Sequence, residues 1–409
     1  MTNYEELKWR GLIKDEAGDI EELINKGGFT FYWGTDPTAD SLHIGHYSSL
    51  VTAKRLAKMG NNPILLVGGA TGLIGDPRPT AEREIISVDT VLNNVDAIKK
   101  QVSDIFDGNC EVVNNYDWMK DMTLIDFLRD VGKYINVNYM LDKDIIRRRL
   151  ETGITYAEFS YTLMQGYDFL HLYKEKGCVL QAEGSDQWGN ITTGIDLIRK
   201  ITGKNAYGFT MPLILDESGK KFGKSEGNAI WLDRKKTSPY ELYQYLINSS
   251  DSKVEEYLKV YTFLTKEEIL DIMKKHNEHP EERLAQKTLA HEFIRDLHGE
   301  EAFIEAENIS RALFSGEIKN LTANEIEMAF HGLTPYDLEE ERNIVDLLVE
   351  SNIVKSKREA REFLGNNSIS INGDKVNDEE FTISKEIAID NKYVVIRRGK
   401  KKYFIIRFI

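Results

Sequence analysis

Strand-like and helix-like runs alternate through the first half of this 409-residue chain, and no other feature restricts its fold as tightly. Gly28 to Trp33 (GFTFYW) is aromatic-rich and bounded by glycine, a strand pattern. Leu50, Ala53, Leu56 and Ala57 then fall at helical spacing within residues 47–59. Ile64 to Val67, after Pro63, is a continuous apolar run suited to a strand buried on both faces. Val91, Val95, Ile98, Val102 and Ile105 form a helical stripe, and Cys178 to Ala182 gives another strand, with a helix from about Ile191. Such alternation predicts a mostly parallel sheet with helical crossovers, whose ligands bind beyond the carboxyl ends of the strands.

The chain is too long for one hydrophobic core, so more than one domain is expected. Three are read: 1–235, an α/β, Rossmann-like, mostly parallel sheet domain; 236–330, a helical domain; and 336–409, a small α+β domain. The middle segment carries charged amphipathic helical patterns, and the last passes from a basic helix, SKREAREFL, to short alternating strands. Net charge is −14, yet the residues from Glu341 onward hold 14 Lys and Arg against 11 Asp and Glu. A basic end on an acidic body fits one module meeting a phosphate backbone. No run approaches the ~18 apolar residues of a membrane helix, the charged N-terminus is unlike a signal peptide, and Cys110 and Cys178 suggest neither a disulfide framework nor a zinc site. A cytoplasmic location without a membrane partner is expected.

Two motifs carry chemistry. Tyr32–His46 (YWGTDPTADSLHIGH) reads as a strand ending at Gly34, a loop stiffened by Pro37, and a helix whose first turn carries His43 and His46. Residues three apart on a helix share a face, and the helix N-terminus attracts anions. Gly45 lets a flat base approach the backbone, and Thr38 adds a hydroxyl. The second motif, Lys220–Ser225 (KKFGKS), follows the turn DESG. Its lysines make a cationic arm able to stabilise the charge that spreads on departing pyrophosphate. Alone, a KxxK loop is ordinary solvated surface, and the P-loop pattern is absent.

HIGH followed by KFGKS resembles the paired signatures of the class I aminoacyl-tRNA synthetases, and the wider context resembles the bacterial tyrosyl-tRNA synthetase family. The matching stretches run in order from DPTADSLHIGH through LLVGGATGLIGDP, NNYDW, FLRDVGK, EFSY, QGYDFL, GSDQWGN, KFGKS and TSPYELYQ to LFSG and RRGKKKY. The resemblance implies activation of tyrosine by ATP, as Mg-ATP with Mg2+, followed by transfer of the tyrosyl group to the 3′ end of tRNA(Tyr). It implies that Thr38, His43, His46, Lys221, Lys224 and Ser225 line the triphosphate path. Gly34, Asp36, Gly45, Gly184, Asp186 and the backbone near Leu213 would hold the adenosine. Tyr32 and Asp168 would grip the substrate phenol; Asp76, Tyr161 and Gln165 its ammonium; and Gln187 would lie near its carboxylate. A homodimer is implied as well.

The last segment resembles the S4-type RNA-binding module. Lys355, Lys357, Arg358 and Arg361 are read onto one basic helix, and Arg397, Arg398 and Lys400–Lys402 form a second cluster. This chain also departs from the family pattern. Trp33 and Thr35 stand where YCGFDPTADS has cysteine and phenylalanine, so a small ribose-contacting side chain has become an indole. Glu183 replaces an expected glycine, and the loop after GDP reads RPTAER, with Arg78 or Arg83 in place of lysines. Three rivals stay open at this point: a tryptophanyl synthetase, against which the Tyr32–Asp168 pair speaks, a small nucleotidyltransferase, and a synthetase-derived RNA-binding protein with an inactive site.

Overall fold

Six strands build the first sheet: β1 (Glu16–Ala17), β2 (Thr30–Thr35), β3 (Asn62–Val67), β4 (Glu111–Asn114), β5 (Cys178–Gly184) and β6 (Tyr207–Met211). Their order is β1-β6-β5-β2-β3-β4, and only the β1–β6 pair is antiparallel. The chain winds outward from β2 through β3 and β4, then returns to β5 on the other side of β2. The carboxyl ends of β2 and β5 thus flank the reversal of winding, where open α/β sheets bind ligands. Tyr32 lies opposite Ile64 on β3 and Gln181 on β5.

The computed structural model describes the chain except residues 78–85, 151–152, 226–227 and 400–401, and except the side chains of residues 144, 145, 224, 225 and 228. Arg78, Arg83, Lys400 and Lys401 lie outside the described residues, as do the side chains of Lys224 and Ser225. Two compact units result, Met1–Asp233 with Ser250–Ala285, and Arg234–Ser249 with Gln286–Ile409.

In the first unit the sheet is covered by α1 (Ile44–Lys58), α2 (Val88–Ile105), α3 (Tyr156–Lys176) and α4 (Trp188–Thr202). Alternate strand residues face opposite sides. On one side Tyr32, Ile64 and Leu66 pack with Phe169 and Leu172 of α3 and Leu197 and Ile198 of α4. On the other, Trp33 reaches α1, where its indole N–H donates to Ser49 Oγ at 2.9 Å. Glycines bring α3 and α4 close together: a Cβ at Gly194 would meet Phe169 at 2.9 Å. The fourth helix starts at Trp188, earlier than its apolar stripe suggests, because a 3-10 turn, Ser185–Gln187, feeds directly into it.

The same unit takes in α5 (Asp251–Tyr261), so the helical stretch expected as a middle domain is shared out between the two units. The physical reason lies in two buried arginines. Arg10 donates to the carbonyls of Lys259 and Leu264, and Arg55 to that of Thr262. They satisfy acceptors left over at the C-terminal end of α5.

In the second unit, helices Pro239–Ile247, Glu300–Ser315 and Ala323–Ala329 precede a five-stranded sheet of Tyr336–Leu338, Ile369–Ile371, Asp374–Val376, Tyr393–Arg398 and Lys402–Phe408. Helices Ile344–Glu350 and Lys357–Gly365 cover one sheet face with Leu347, Leu348, Ala360 and Leu364. Ile309, Ala312 and Ile326 share a second cluster with Tyr393, Val395 and Ile405, so helices and sheet form one body. Among the described residues no helix is long and apolar enough to cross a membrane.

Candidate active site

The loop after β2 ends in a capped helix. His43 is the N-cap of α1, just outside the first turn assigned to it by spacing, and His46 is its third residue. The His43 amide donates to His46 Nδ1 at 3.3 Å, and the Gly45 amide to His43 Nδ1 at 3.1 Å. These bonds stack the two imidazoles, with centroids 3.8 Å apart and planes 20° apart. The lysine-bearing segment meets them here. Gly223 stands at φ +92°, and a Cβ on it would lie 3.4 Å from the Gly45 amide and overlap Ile44. Phe222 anchors that segment against Tyr257 and Tyr261 of α5, at ring distances of 4.2 and 5.6 Å. Lys221, exposed on the same segment, bridges to Leu215, and the preceding turn is tied by Asp216, which accepts from the Ser218 and Lys220 amides. Two motifs about 180 residues apart in sequence thus come into contact.

A second cluster surrounds Asp168. It sits on α3, fully buried, and its two oxygens accept from Asn115 Nδ2 and Trp118 Nε1, each at 2.9 Å. Asn115 also donates to Thr71 Oγ1, Thr71 donates to Asp36 at 2.8 Å, and Tyr161 donates to the other Asp36 oxygen at 3.0 Å. Burial pushes the Asp168 carboxyl up to about 8, against the pull of the Asn115 and Trp118 donors. Tyr32, also buried, has a hydroxyl with no hydrogen-bond partner among the described residues. Burial first, and the Asp168 charge next, hold its phenol well above the usual tyrosine range. Gln165 Oε1 is likewise buried without a partner, and Gln187 donates to Asp76 at 2.9 Å.

The residues expected to hold the adenosine divide. Gly34 is the next-to-last residue of β2, Gly184 ends β5, exposed Asp186 lies in the following turn, and Leu213 is exposed just past β6. Asp36, expected with them, is bonded into the Asp168 network through Thr71 and Tyr161. Thr38 is exposed, and its amide donates to the Asp36 carbonyl. Sequence reasoning gave no role to Asn115, Trp118, Thr71 or Gln181. NNYDW contains the first two, and paired Asn residues at the end of β4 were the available signal. Gln181, buried within β5, has neither amide atom bonded among the described residues, a fact no spacing reveals.

In the second unit the basic residues separate too. Lys355 precedes helix Lys357–Gly365 rather than lying on it, because Ser356 is the N-cap. Lys357 pairs with Asp346 and Arg361 with Glu379, while Arg358 is exposed. Arg398 departs from the open cluster expected of it: it donates to the Ile353 carbonyl and lies over Phe363 and Phe404. Arg397 donates weakly to Ser370 at 3.5 Å.

Residues 25–315 match the family described as tRNA synthetases class I (W and Y), and residues 325–406 match the tyrosine–tRNA ligase SYY-like C-terminal domain. The chain belongs to the class I tRNA synthetases. It is 49% identical to the tyrosine–tRNA ligase of Streptococcus gordonii and 48% identical to that of Streptococcus agalactiae, over all of each chain. Among solved structures it is similar to the truncated mitochondrial tyrosyl-tRNA synthetase of Aspergillus nidulans, with a TM-score of 0.69 and 33% identity over 76% of this chain and 94% of that one. A tryptophanyl-tRNA synthetase of Encephalitozoon cuniculi shares the fold, with a TM-score of 0.54 and 14% identity over 74% and 87%. Within its class the chain falls with the tyrosine–tRNA ligases, ATP-dependent enzymes that charge tRNA.

Proposed function

We propose that the two clusters divide the work of a tyrosine–tRNA ligase between them. Asp168, held by Asn115 and Trp118 beside the unpartnered Tyr32 hydroxyl, takes the substrate phenol. Gln165, Tyr161 and Asp76 take its ammonium, and Gln187 lies by its carboxylate. That buried polar group with an unsatisfied neighbour carries the reading, since burial of polar groups without partners is costly unless a ligand completes them.

The tyrosine carboxylate then attacks the α-phosphorus of ATP. A carboxylate–phosphoryl bond forms, the bond to the bridging oxygen breaks, and pyrophosphate leaves with the electron pair. No side chain need be a nucleophile; the protein supplies position and charge. His43 and His46 donate to the departing phosphates at the N-terminus of α1, and Lys221, Lys224 and Ser225 approach from the segment that touches it. Magnesium enters as part of the Mg-ATP substrate. The terminal ribose hydroxyl of tRNA next attacks the tyrosyl carbonyl and AMP departs.

Purified enzyme should exchange labelled pyrophosphate into ATP when tyrosine is supplied. Exchange with tryptophan and none with tyrosine would overturn the substrate assignment. A cytoplasmic homodimer completes the proposal. The first unit supports it, exposing Leu124, Ile125, Leu128 and Val137 within fourteen positions, an apolar density unusual for solvated surface.

A further inference from the structure

Where the winding of the sheet reverses, β2 and β5 are joined by a side chain. Glu183 on β5 accepts a hydrogen bond from the Gly34 amide at the end of β2 through one carboxylate oxygen. Its other oxygen has no hydrogen-bond partner among the described residues. The side chain is only 4% exposed, and burial, with the charges of Asp186 and Asp36 nearby, raises its carboxyl well above the ordinary range. Across the sheet Trp33 presents nothing polar to this crevice: its ring is buried against α1 and its N–H is used by Ser49.

Charge decides which part of a nucleotide fits. Asp186 and Asp36 make the crevice acidic and therefore hostile to phosphate, while the imidazoles lie together at the start of α1, against Gly223 of the lysine segment. A neutral, hydroxyl-bearing group is what an acidic strand end at a winding reversal holds, as acids hold ribose in other nucleotide-binding α/β sheets. We propose that Glu183 recognises a ribose hydroxyl of ATP and so sets the sugar specificity of this enzyme. This rests on ATP occupying the β2–β5 crevice, the reading given above.

The test is tyrosine-dependent pyrophosphate exchange by the full chain with ATP, 2′-deoxyATP and 3′-deoxyATP. Wild type should favour ATP over at least one analogue by about tenfold or more in kcat/KM, the scale of one hydrogen bond to a carboxylate. Glu183→Ala should lower use of ATP by a similar factor yet change use of that analogue less than about twofold, so the preference disappears. Melting temperature and the KM for tyrosine report whether the fold survives. Glu183→Gln, which still accepts from Gly34, should keep a reduced preference. Equal loss with ATP and both analogues in Glu183→Ala would make Glu183 a strand brace and overturn the proposal. Should that variant unfold, an unaltered preference in Glu183→Gln would overturn it equally. Wild-type exchange that ignores the sugar sinks Glu183's role alone, whereas no exchange with any nucleotide sinks the ATP reading with it.

Discussion

Asp168 shows what one buried carboxyl can impose on a binding curve. Its folded pKa, about 8, lies above the usual carboxylate value, so its protonated form favours the folded state. The resulting stability is complete in acid and declines as pH rises through the carboxylate range toward 8. A substrate phenol donating to Asp168 prefers the ionised form. Tyrosine affinity should therefore rise with pH, by up to about tenfold per unit, and level off above about pH 8. Calorimetric titration between pH 6 and 9 checks this, and Asp168→Asn should flatten the slope while weakening binding about 10- to 100-fold. A flat wild-type profile would mean that the carboxyl, not the phenol, is the donor. The family resemblance pointed to Asp168 and Tyr32, and Asp168 gained weight because a carboxylate flanked by Tyr167, Phe169 and Leu170 demands a partner. It hid the partners, since Asn115 and Trp118 lie fifty or more residues away and only the folded sheet brings them to α3.

The decisive contact between elements is Gly223 against the start of α1. Alanine there would need a left-handed backbone and would overlap Ile44 Cγ2, which a Cβ would approach to 1.8 Å. Gly223→Ala should push the lysine segment off the imidazoles and lower kcat for pyrophosphate exchange at least about tenfold, with the KM for tyrosine nearly unchanged. Steady-state kinetics in both substrates would show it, and a change confined to tyrosine KM would refute the contact's role. The strands β2, β3 and β5 and the long helices were readable from residue pattern, as α2 shows, where Val91, Val95, Ile98, Val102 and Ile105 are all buried, whereas β1, β4 and β6 were not read. Boundaries were not, because they depend on caps. His43 acts as an N-cap though histidine is no usual capping residue, and it does so by pairing with His46.

For the whole molecule, the partition into two units was the least legible feature. Pro239 begins a helix of the second unit, whereas α5, a few residues later, joins the first through Arg10 and Arg55. Sequence locality could not announce side chains reaching across some 250 residues. Assembly gives one prediction: Ile125→Asp, placing a charge in the exposed apolar stretch, should convert the proposed dimer to a monomer by light scattering. Charge distribution gives another. Arg358, exposed on a helix whose other cations are paired with acids, should carry more of the RNA contact than Lys357 or Arg361. Arg358→Ala should raise the KM for tRNA several-fold, reduce the salt slope of tRNA binding by about one, and leave pyrophosphate exchange intact. An unchanged salt slope would remove this helix from the RNA footprint.

The stacked imidazoles carry one more implication. Each uses its Nδ1 lone pair to receive a main-chain N–H, so each neutral ring must keep its hydrogen on Nε2. The backbone thereby favours this tautomer. Both rings thus keep an N–H donor at the end of the site proposed for the phosphates without either needing to become a cation.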